Sequence, residues 1–130
     1  MAERIEWNLE YVIGVIVIDN QHRDLFTYYN ELVDCLKSQN YSEVNRAIEK
    51  LEAYILQHFS YEERMMRAIQ FDKLDAHAAE HRIFEHELDE IKKHYSQNPN
   101  ILTELLCKFV ENWLKHHILE VDMLYKEALA

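Results

Sequence analysis

The chain has 130 residues, of which 14 are Lys or Arg and 24 are Asp or Glu, giving a formal net charge of −10. A chain of this length is expected to form one compact domain whose core needs no disulfide framework. The acidic charge argues against binding to nucleic acid, because its field repels phosphates. One Gly and one Pro leave little material for the tight turns of β-sheet folds, so we expect an all-α protein.

No segment predicts membrane insertion or secretion. The longest apolar run, Tyr11 to Ile18, falls far short of the roughly 20 residues that a membrane helix needs. The N-terminus lacks the basic and apolar regions of a signal peptide, so we expect a cytoplasmic protein. Cys35 and Cys107 have no CxxC spacing and suit a reducing compartment as small apolar residues.

The first two of four amphipathic helices are predicted in the N-terminal half. Apolar residues recur at helical spacing after Asp19 or Asn20, either of which can cap a helix over about residues 19–38. Ser42 can cap a longer apolar stripe, which predicts the second helix over about residues 42–69.

The C-terminal half predicts two more helices. Asp72 can cap the third, over about residues 72–95, and Pro99 is favoured at the first position of the fourth, over about residues 99–128. Short connections between long amphipathic helices favour antiparallel neighbours. The predicted architecture is therefore an antiparallel up-down-up-down four-helix bundle.

Residues 1–17 are predicted to form an extended N-terminal arm. The β-branched residues between Val12 and Ile18 would suit a strand, but an isolated strand has no pairing partner. We therefore expect the arm to lie on the bundle, within a single domain that covers residues 1–130.

Candidate metal ligands interrupt the apolar stripes of all four helices. A single histidine on an apolar face is more often a core residue than a ligand, so one such position alone would be weak evidence. Two pairs at i, i+4 spacing are stronger, because their side chains lie about 6 Å apart along one helix face. The candidates are His22, His58, Glu62, His77, His81, His117 and Asp122.

The two carboxylates in this set need partners. Burying a carboxylate costs several kcal/mol or more unless it is paired or coordinated, and a metal ion would coordinate both Glu62 and Asp122. Glu63 points away from the face of His58, and three further histidines lie off or at the margin of their stripes. These three, which we expect at the surface or behind the ligands, are His86, His94 and His116.

The i, i+5 spacing of His117 and Asp122 does not suit a regular α-helix. A π-bulge near the site would bring both side chains to one face. We therefore expect a local π-helical irregularity between them.

The ligand set favours a dinuclear centre. Five histidines and two carboxylates exceed the needs of one tetrahedral zinc, and the chain has neither an HExxH motif nor a Glu three residues before any His. If both carboxylates and one solvent oxygen bridge two metals, three of the five imidazoles must bind one metal and two must bind the other. One metal is then left with a vacant position, which suits a small diatomic ligand within apolar walls.

The sequence resembles the hemerythrin family, and within it the single-domain bacteriohemerythrins. The resemblance covers nearly the whole chain, and one departure is Phe71-Asp72, where the family often has Tyr-Pro. The motifs that carry it include Trp7, Gly14, Asp19 to Phe26 (DNQHRDLF), His58 to Glu63 (HFSYEE), His77 to His81 (HAAEH), Phe84, Trp113 to Ile118 (WLKHHI), Asp122 and Tyr125.

The resemblance implies a cofactor of two iron ions, Fe2+ or Fe3+, joined by an oxo or hydroxo bridge. It assigns His77, His81 and His117 to the six-coordinate iron and His22 and His58 to the five-coordinate iron, with Glu62 and Asp122 bridging. O2 would bind at the vacant position. Residues one turn from the ligands are expected to form the O2 pocket, namely Leu25, Ile55, Phe59, Leu114 and Ile118.

The expected function is reversible O2 binding for transport or storage, with an O2-consuming enzyme as a potential recipient. An O2 or redox sensor is the second interpretation, and it would need a separate signalling partner. A di-iron enzyme acting on peroxide or NO, or storing iron, is the third. It is disfavoured because the sequence shows no clear acid-base group beyond the ligands. We expect a monomer.

Overall fold

The computed structural model describes residues 3–95 and 97–125 and confirms the all-α prediction. Within these ranges there are four α-helices and no strand. Helix α1 packs against α2 and α4, and α3 packs against α2 and α4, as an up-down-up-down bundle requires. The helices are α1 (Ile16–Lys37), α2 (Tyr41–Ala68), α3 (Leu74–Tyr95) and α4 (Pro99–His116).

Helix α1 begins at Ile16, three residues before the predicted start, so the assignment of Asp19 or Asn20 as its N-cap was wrong. The earlier start places Ile18 in the core, fully buried. Asp19 instead reaches backward, and its carboxylate accepts hydrogen bonds from the backbone N–H groups of Ile13 (2.8 Å) and Gly14 (3.1 Å). Gly14 has φ +98°, a conformation that residues with a Cβ rarely adopt.

The described part of the predicted N-terminal arm, residues 3–15, lies on the bundle in extended and turn conformations, whereas Ile16 and Val17 of the predicted arm belong to α1. Residues 3–15 include the 3-10 turn Leu9–Tyr11 and bury Ile5 and Tyr11. The side chain of Asn30 in α1 pairs with the backbone of Ile5, accepting from its N–H at 2.8 Å and donating to its carbonyl at 3.0 Å. These two bonds replace the strand partner that the arm lacks.

Helices α1 and α2 both end without glycine. In each case a glutamine follows the cap in the left-handed region, Gln39 at φ 57° and Gln70 at φ 55°. The backbone bonds are those of a Schellman motif: Asn40 N–H donates to the carbonyl of Cys35, and Phe71 N–H donates to that of Met66. Residues other than glycine are strained in this region, because their Cβ comes too close to the following carbonyl oxygen.

The connection from α2 to α3 differs from the prediction. Helix α2 ends at Ala68 and α3 begins at Leu74, so Asp72 lies in a turn and is not the first residue of the helix. The left-handed Gln70 reverses the chain, and the N–H of Leu74 then donates to the carbonyl of Phe71 at 3.2 Å. The turn at Asp72 and Lys73 completes this reversal, so α3 starts two residues later than predicted.

The core consists of one large apolar cluster along the bundle and a smaller one at one end. The smaller cluster contains Ile13, Ile18 and Met66. Among the described helices, no helix is both long enough and apolar enough to cross a bilayer.

Candidate metal centre

The seven candidate ligands come from all four helical regions and meet inside the bundle. Each of them is buried. His22 lies on α1, His58 and Glu62 on α2, His77 and His81 on α3, His117 in a π-helical segment after α4, and Asp122 at the start of a 3-10 turn.

Their ligand atoms form two groups, each with all atoms within 4.8 Å of one another, that share Glu62. Asp122 also faces both groups, because its Oδ1 lies 2.8 Å from the Nε2 of His77 and its Oδ2 lies 2.9 Å from the Nε2 of His22. Each carboxylate is therefore placed between two histidine sets. The groups are Glu62, His77, His81 and His117, and His22, His58, Glu62 and Asp122.

The π-helical segment His117–Val121 explains how the last two candidates come together. The backbone N–H of Asp122 donates to the carbonyl of His117, an i→i+5 bond that replaces the i→i+4 bond of an α-helix. The Nε2 of His117 consequently lies 2.8 Å from the Oδ1 of Asp122. The predicted π irregularity is confirmed, and α4 ends as an α-helix at His116. Residues 126–128 of the predicted fourth helix lie outside the described residues.

Hydrogen bonds on the outer side of the rings orient two of the histidines. The Nδ1 of His58 lies 2.7 Å from the Oε1 of Gln21, and the Nδ1 of His81 lies 2.8 Å from Glu63 Oε2. Because both oxygens can only accept, each Nδ1 carries the proton and donates it. The Nε2 atoms of these two rings then present lone pairs to the interior.

The interior therefore concentrates electron-pair donors. The Nε2 of His58 lies 3.0 Å from a carboxylate oxygen of Glu62, and the Nε2 atoms of His81 and His117 are 3.1 Å apart. Both carboxylate oxygens of Asp122 face histidine nitrogens, with Oδ1 2.8 Å from the Nε2 of His117 and Oδ2 2.9 Å from the Nε2 of His22. Such a set of buried imidazole and carboxylate donors needs cations between its members, and it fits iron.

The electrostatics of the site keep its carboxylates ionised. Burial opposes the ionisation of Glu62, but the neighbouring His58, His81 and His117 outweigh it and hold the pKa of the carboxyl well below its usual range. Burial likewise disfavours the charged form of His117, yet Asp122 and Glu62 raise the pKa of its imidazole well above the ordinary value. Burial and Glu62 oppose the ionisation of Asp122, but His117 and His22 outweigh them and lower the pKa of its carboxyl group. Both carboxyl groups thus remain anionic, which is the form that coordinates metals.

Sequence reasoning missed the groups that support the ligands. Gln21 and Glu63 each lie next to a candidate ligand in the chain, but each contacts a histidine on a different helix. Glu63 also accepts from Arg82 at 2.6 Å. The adjacency of these polar residues to ligands is the only signal in the sequence, since the contact itself depends on how the two helices are rotated. His86, His94 and His116 are exposed and belong to neither group.

Aromatic rings pack directly on the candidate ligands. Phe59 stacks on His81 with ring centroids 3.8 Å apart and an interplanar angle of 5°, and Trp113 stacks on His117 at 4.3 Å and 15°. The five residues predicted to form an O2 pocket are all buried in the main core cluster, and their lining of a pocket stays a prediction. They are Leu25, Ile55, Phe59, Leu114 and Ile118.

A four-helix bundle that buries five histidines and two carboxylates between its helices defines a protein of the hemerythrin class. Residues 14–129 match the family model "Hemerythrin HHE cation binding domain". The chain therefore belongs to the hemerythrin family.

Individual relatives agree with this assignment. The chain is 34% identical to a bacteriohemerythrin of Clostridium acetobutylicum over 124 residues, which cover 92% of this chain and 96% of that protein. It is 30% identical to a bacteriohemerythrin of Methylococcus capsulatus over 121 residues, covering 93% and 92% of the two chains. Its structure is similar to that of a wild-type hemerythrin, with a TM-score of 0.85 and 29% identity over 98% of each chain.

Proposed function

We propose that the chain binds O2 reversibly at a dinuclear iron centre and serves as an O2 carrier or store. The observation that carries this proposal is the convergence of seven buried donors into two groups that share a carboxylate. Membership of the hemerythrin family supports iron as the metal and O2 as the ligand.

The proposed ligand assignment follows the two groups. His77, His81 and His117 would hold one iron, and His22 and His58 the other. Glu62 and Asp122 would bridge, which is supported by the position of each carboxylate between the two sets. The proposal includes an oxo or hydroxo bridge as the third link. When bound, the iron pair supplies the electrons that hold O2 reversibly.

The remaining contribution of the chain is to fix the ligands and to exclude water. Gln21 and Glu63 hold the rings of His58 and His81 with Nε2 directed inward. Leu25, Ile55 and Leu114 are almost fully buried and offer no proton donor. An apolar wall of this kind slows the entry of water and protons, and thereby slows irreversible oxidation of the iron.

We propose carriage of O2 and not catalysis. An enzyme that reduces peroxide or NO benefits from an acid-base group beside the substrate, and the predicted pocket residues are hydrocarbon side chains. Steady-state assays of the iron-loaded protein with peroxide and with NO test this directly. Sustained turnover with either substrate would move the function to catalysis, whereas stoichiometric binding without turnover agrees with a carrier.

The cellular setting is also part of the proposal. We propose a monomer in the cytoplasm that passes O2 to an O2-consuming enzyme. The net charge of −10 supports a monomer through mutual repulsion, and the free thiols of Cys35 and Cys107 suit a reducing compartment. Sedimentation at several concentrations tests the monomer, since a mass that rises with concentration would contradict it.

The function itself is tested by an optical cycle. The iron-loaded protein is reduced without air, and its spectrum is recorded before O2, after O2 and after purging with argon. We expect a visible charge-transfer band that appears with O2 and fades on purging. A spectrum that passes irreversibly to that of the oxidised protein would retain the metal site but contradict reversible carriage.

A further inference from the structure

A groove of about 410 Å³ runs between α2 and α3 on the surface of the bundle. Its floor includes buried apolar residues, and an ion pair joins its two sides, with Lys92 Nζ 2.7 Å from Glu52 Oε1. The residues that line it include Glu52, Ile55 and Leu56 of α2 and Phe84, Leu88 and Lys92 of α3.

A cavity of about 10 Å³ lies directly behind this groove, inside the bundle. It is lined by residues of all four helices, and it shares Glu52, Ile55 and Leu88 with the groove. These three side chains therefore form the partition between the surface and the interior. A space of this volume holds about one water-sized molecule, and a mostly apolar lining favours an apolar molecule over water.

The cavity borders Ile55, which lies one helical turn from the candidate ligand His58. Ile55 stands three residues before His58 on α2, and Val110 of the cavity stands one turn before Leu114 on α4. Leu114 and Leu25 belong to the same contiguous apolar cluster as the cavity residues. This cluster of packed apolar side chains, here called the apolar column, extends from the partition to Leu25 and Ile55, which lie one turn from His22 and His58.

We propose that O2 enters and leaves the centre through this column, with Leu88 and Ile55 as its narrowest point. This inference rests on the proposed function, which places the vacant position on the iron held by His22 and His58. O2 is small and apolar, so it partitions into a hydrocarbon-lined path that disfavours water and ions.

A second depression, of about 110 Å³, reaches the centre from the other side. Like the groove, it carries charged residues at its rim, but it borders His77, which the proposal assigns to the iron without a vacancy. The groove between α2 and α3 is therefore the route that fits the position of the vacancy.

The test uses one variant that widens the column and one that fills the groove. Leu88→Ala widens the partition, and Leu56→Trp places a large ring in the groove from an exposed position, where folding is tolerant. The matched controls are two residues of α4 that line neither the groove nor the cavity. Leu102→Ala is the control for Leu88→Ala, because both leucines are 8% exposed. Ile101→Trp is the control for Leu56→Trp, because Ile101 is 48% exposed and Leu56 is 47% exposed.

Association and release of O2 are measured by stopped flow on the reduced, iron-loaded proteins, together with the equilibrium Kd. We expect Leu88→Ala to raise both rate constants several-fold and Leu56→Trp to lower both several-fold, with Kd unchanged. A route alters the barrier but not the end states, so both rates must move together. Rates that stay unchanged in Leu56→Trp, or that change equally in its control, would overturn the proposed route.

A second readout does not depend on O2 binding at iron. In the oxidised, iron-loaded protein, dissolved O2 is paramagnetic and relaxes nearby methyl protons. We expect this relaxation to be several-fold larger for Ile55 than for Ile13, which is equally buried at 1% exposure but lies in the other apolar cluster. Equal relaxation at both methyl groups would refute access through the column. If this difference is present but no variant binds O2, the proposed function has failed and the column still admits O2.

Discussion

The imidazole of His117 and the carboxylate of Asp122 lie 2.8 Å apart, although the two residues are five positions apart in the sequence. In a regular α-helix, five steps of about 100° leave the second residue about 140° around the axis from the first. The π-helical segment reduces this offset, and α-helical hydrogen bonding is interrupted where the two candidate ligands come together. Interruptions of this type are common at functional sites.

The first prediction concerns Asp122. The substitution Asp122→Asn keeps the shape of the side chain but removes the negative charge that both histidine groups face. We expect the variant to retain less than half of the iron of the unmodified protein after anaerobic loading and desalting, measured as iron per chain. Asp89→Asn is the control, because this aspartate pairs with Lys93 on the exposed face of α3. Equal iron content in both variants would contradict a role for Asp122 as a ligand.

The second prediction concerns the support of His81. In Glu63→Gln the amide can still accept from Nδ1, but the negative charge that strengthens His81 as a ligand is lost. Changes at such supporting positions typically lower metal affinity about 10–100-fold, and we expect a loss in this range in a chelator competition assay.

Glu85→Gln provides a close control for Glu63→Gln. Glu85 also pairs with Arg82, at 2.6 Å, whereas the carboxylate that lies against the Nδ1 of His81 is that of Glu63. We expect its iron affinity to match that of the unmodified protein. A similar loss in both variants would mean that Arg82, and not the bond to His81, carries the effect.

The third prediction concerns Leu114, which is completely buried. Leu114→Ala would leave a cavity beside the centre, lower the free energy of unfolding by about 2–5 kcal/mol and admit water to the iron. We expect faster autoxidation, followed as the loss of the O2-dependent optical band. Leu102→Ala, farther from the site on the same helix, should lose stability without faster autoxidation. An unchanged autoxidation rate in Leu114→Ala would exclude this residue from the pocket.

The fourth prediction concerns the strained ends of α1 and α2. Gln39→Gly and Gln70→Gly each remove the side chain from a residue in the left-handed conformation and so relieve its backbone strain. Glycine also makes the unfolded chain more flexible, which offsets part of this gain. We expect each to raise the free energy of unfolding by about 0.5–1 kcal/mol in urea titrations at constant iron loading. Ser38→Gly, at φ −84°, has no such strain to relieve and should be neutral or destabilising. Destabilisation by both glutamine substitutions would show that these side chains make compensating contacts.

The sequence predicts those features of the site that lie within one helix. The pairs His58/Glu62 and His77/His81 follow from the i, i+4 periodicity of a single element, and the buried carboxylates point to a metal. The π segment could be anticipated only because the spacing of His117 and Asp122 conflicts with a regular helix.

Features that depend on two elements at once were not predictable. Asp19 accepts hydrogen bonds from N–H groups that precede its own helix. The N-cap expected at Asp19 or Asn20 therefore placed the predicted start of α1 too late. The contacts of Gln21 and Glu63 depend on the relative rotation of neighbouring helices, which the apolar stripe of one helix defines only coarsely. Left-handed glutamines such as Gln70 carry no sequence signal, because glycine is the usual residue there.

Reversible binding of O2 at a pair of irons is tested by the stoichiometry of O2 uptake and recovery. Reduced, iron-loaded protein is equilibrated with a known amount of O2 in a closed vessel, and the gas taken up is compared with the iron content and with the gas released under argon. We expect uptake of one O2 for each pair of irons, with essentially all of it recovered as O2. Uptake without recovery, or uptake that continues beyond this ratio, would contradict reversible binding at a dinuclear centre.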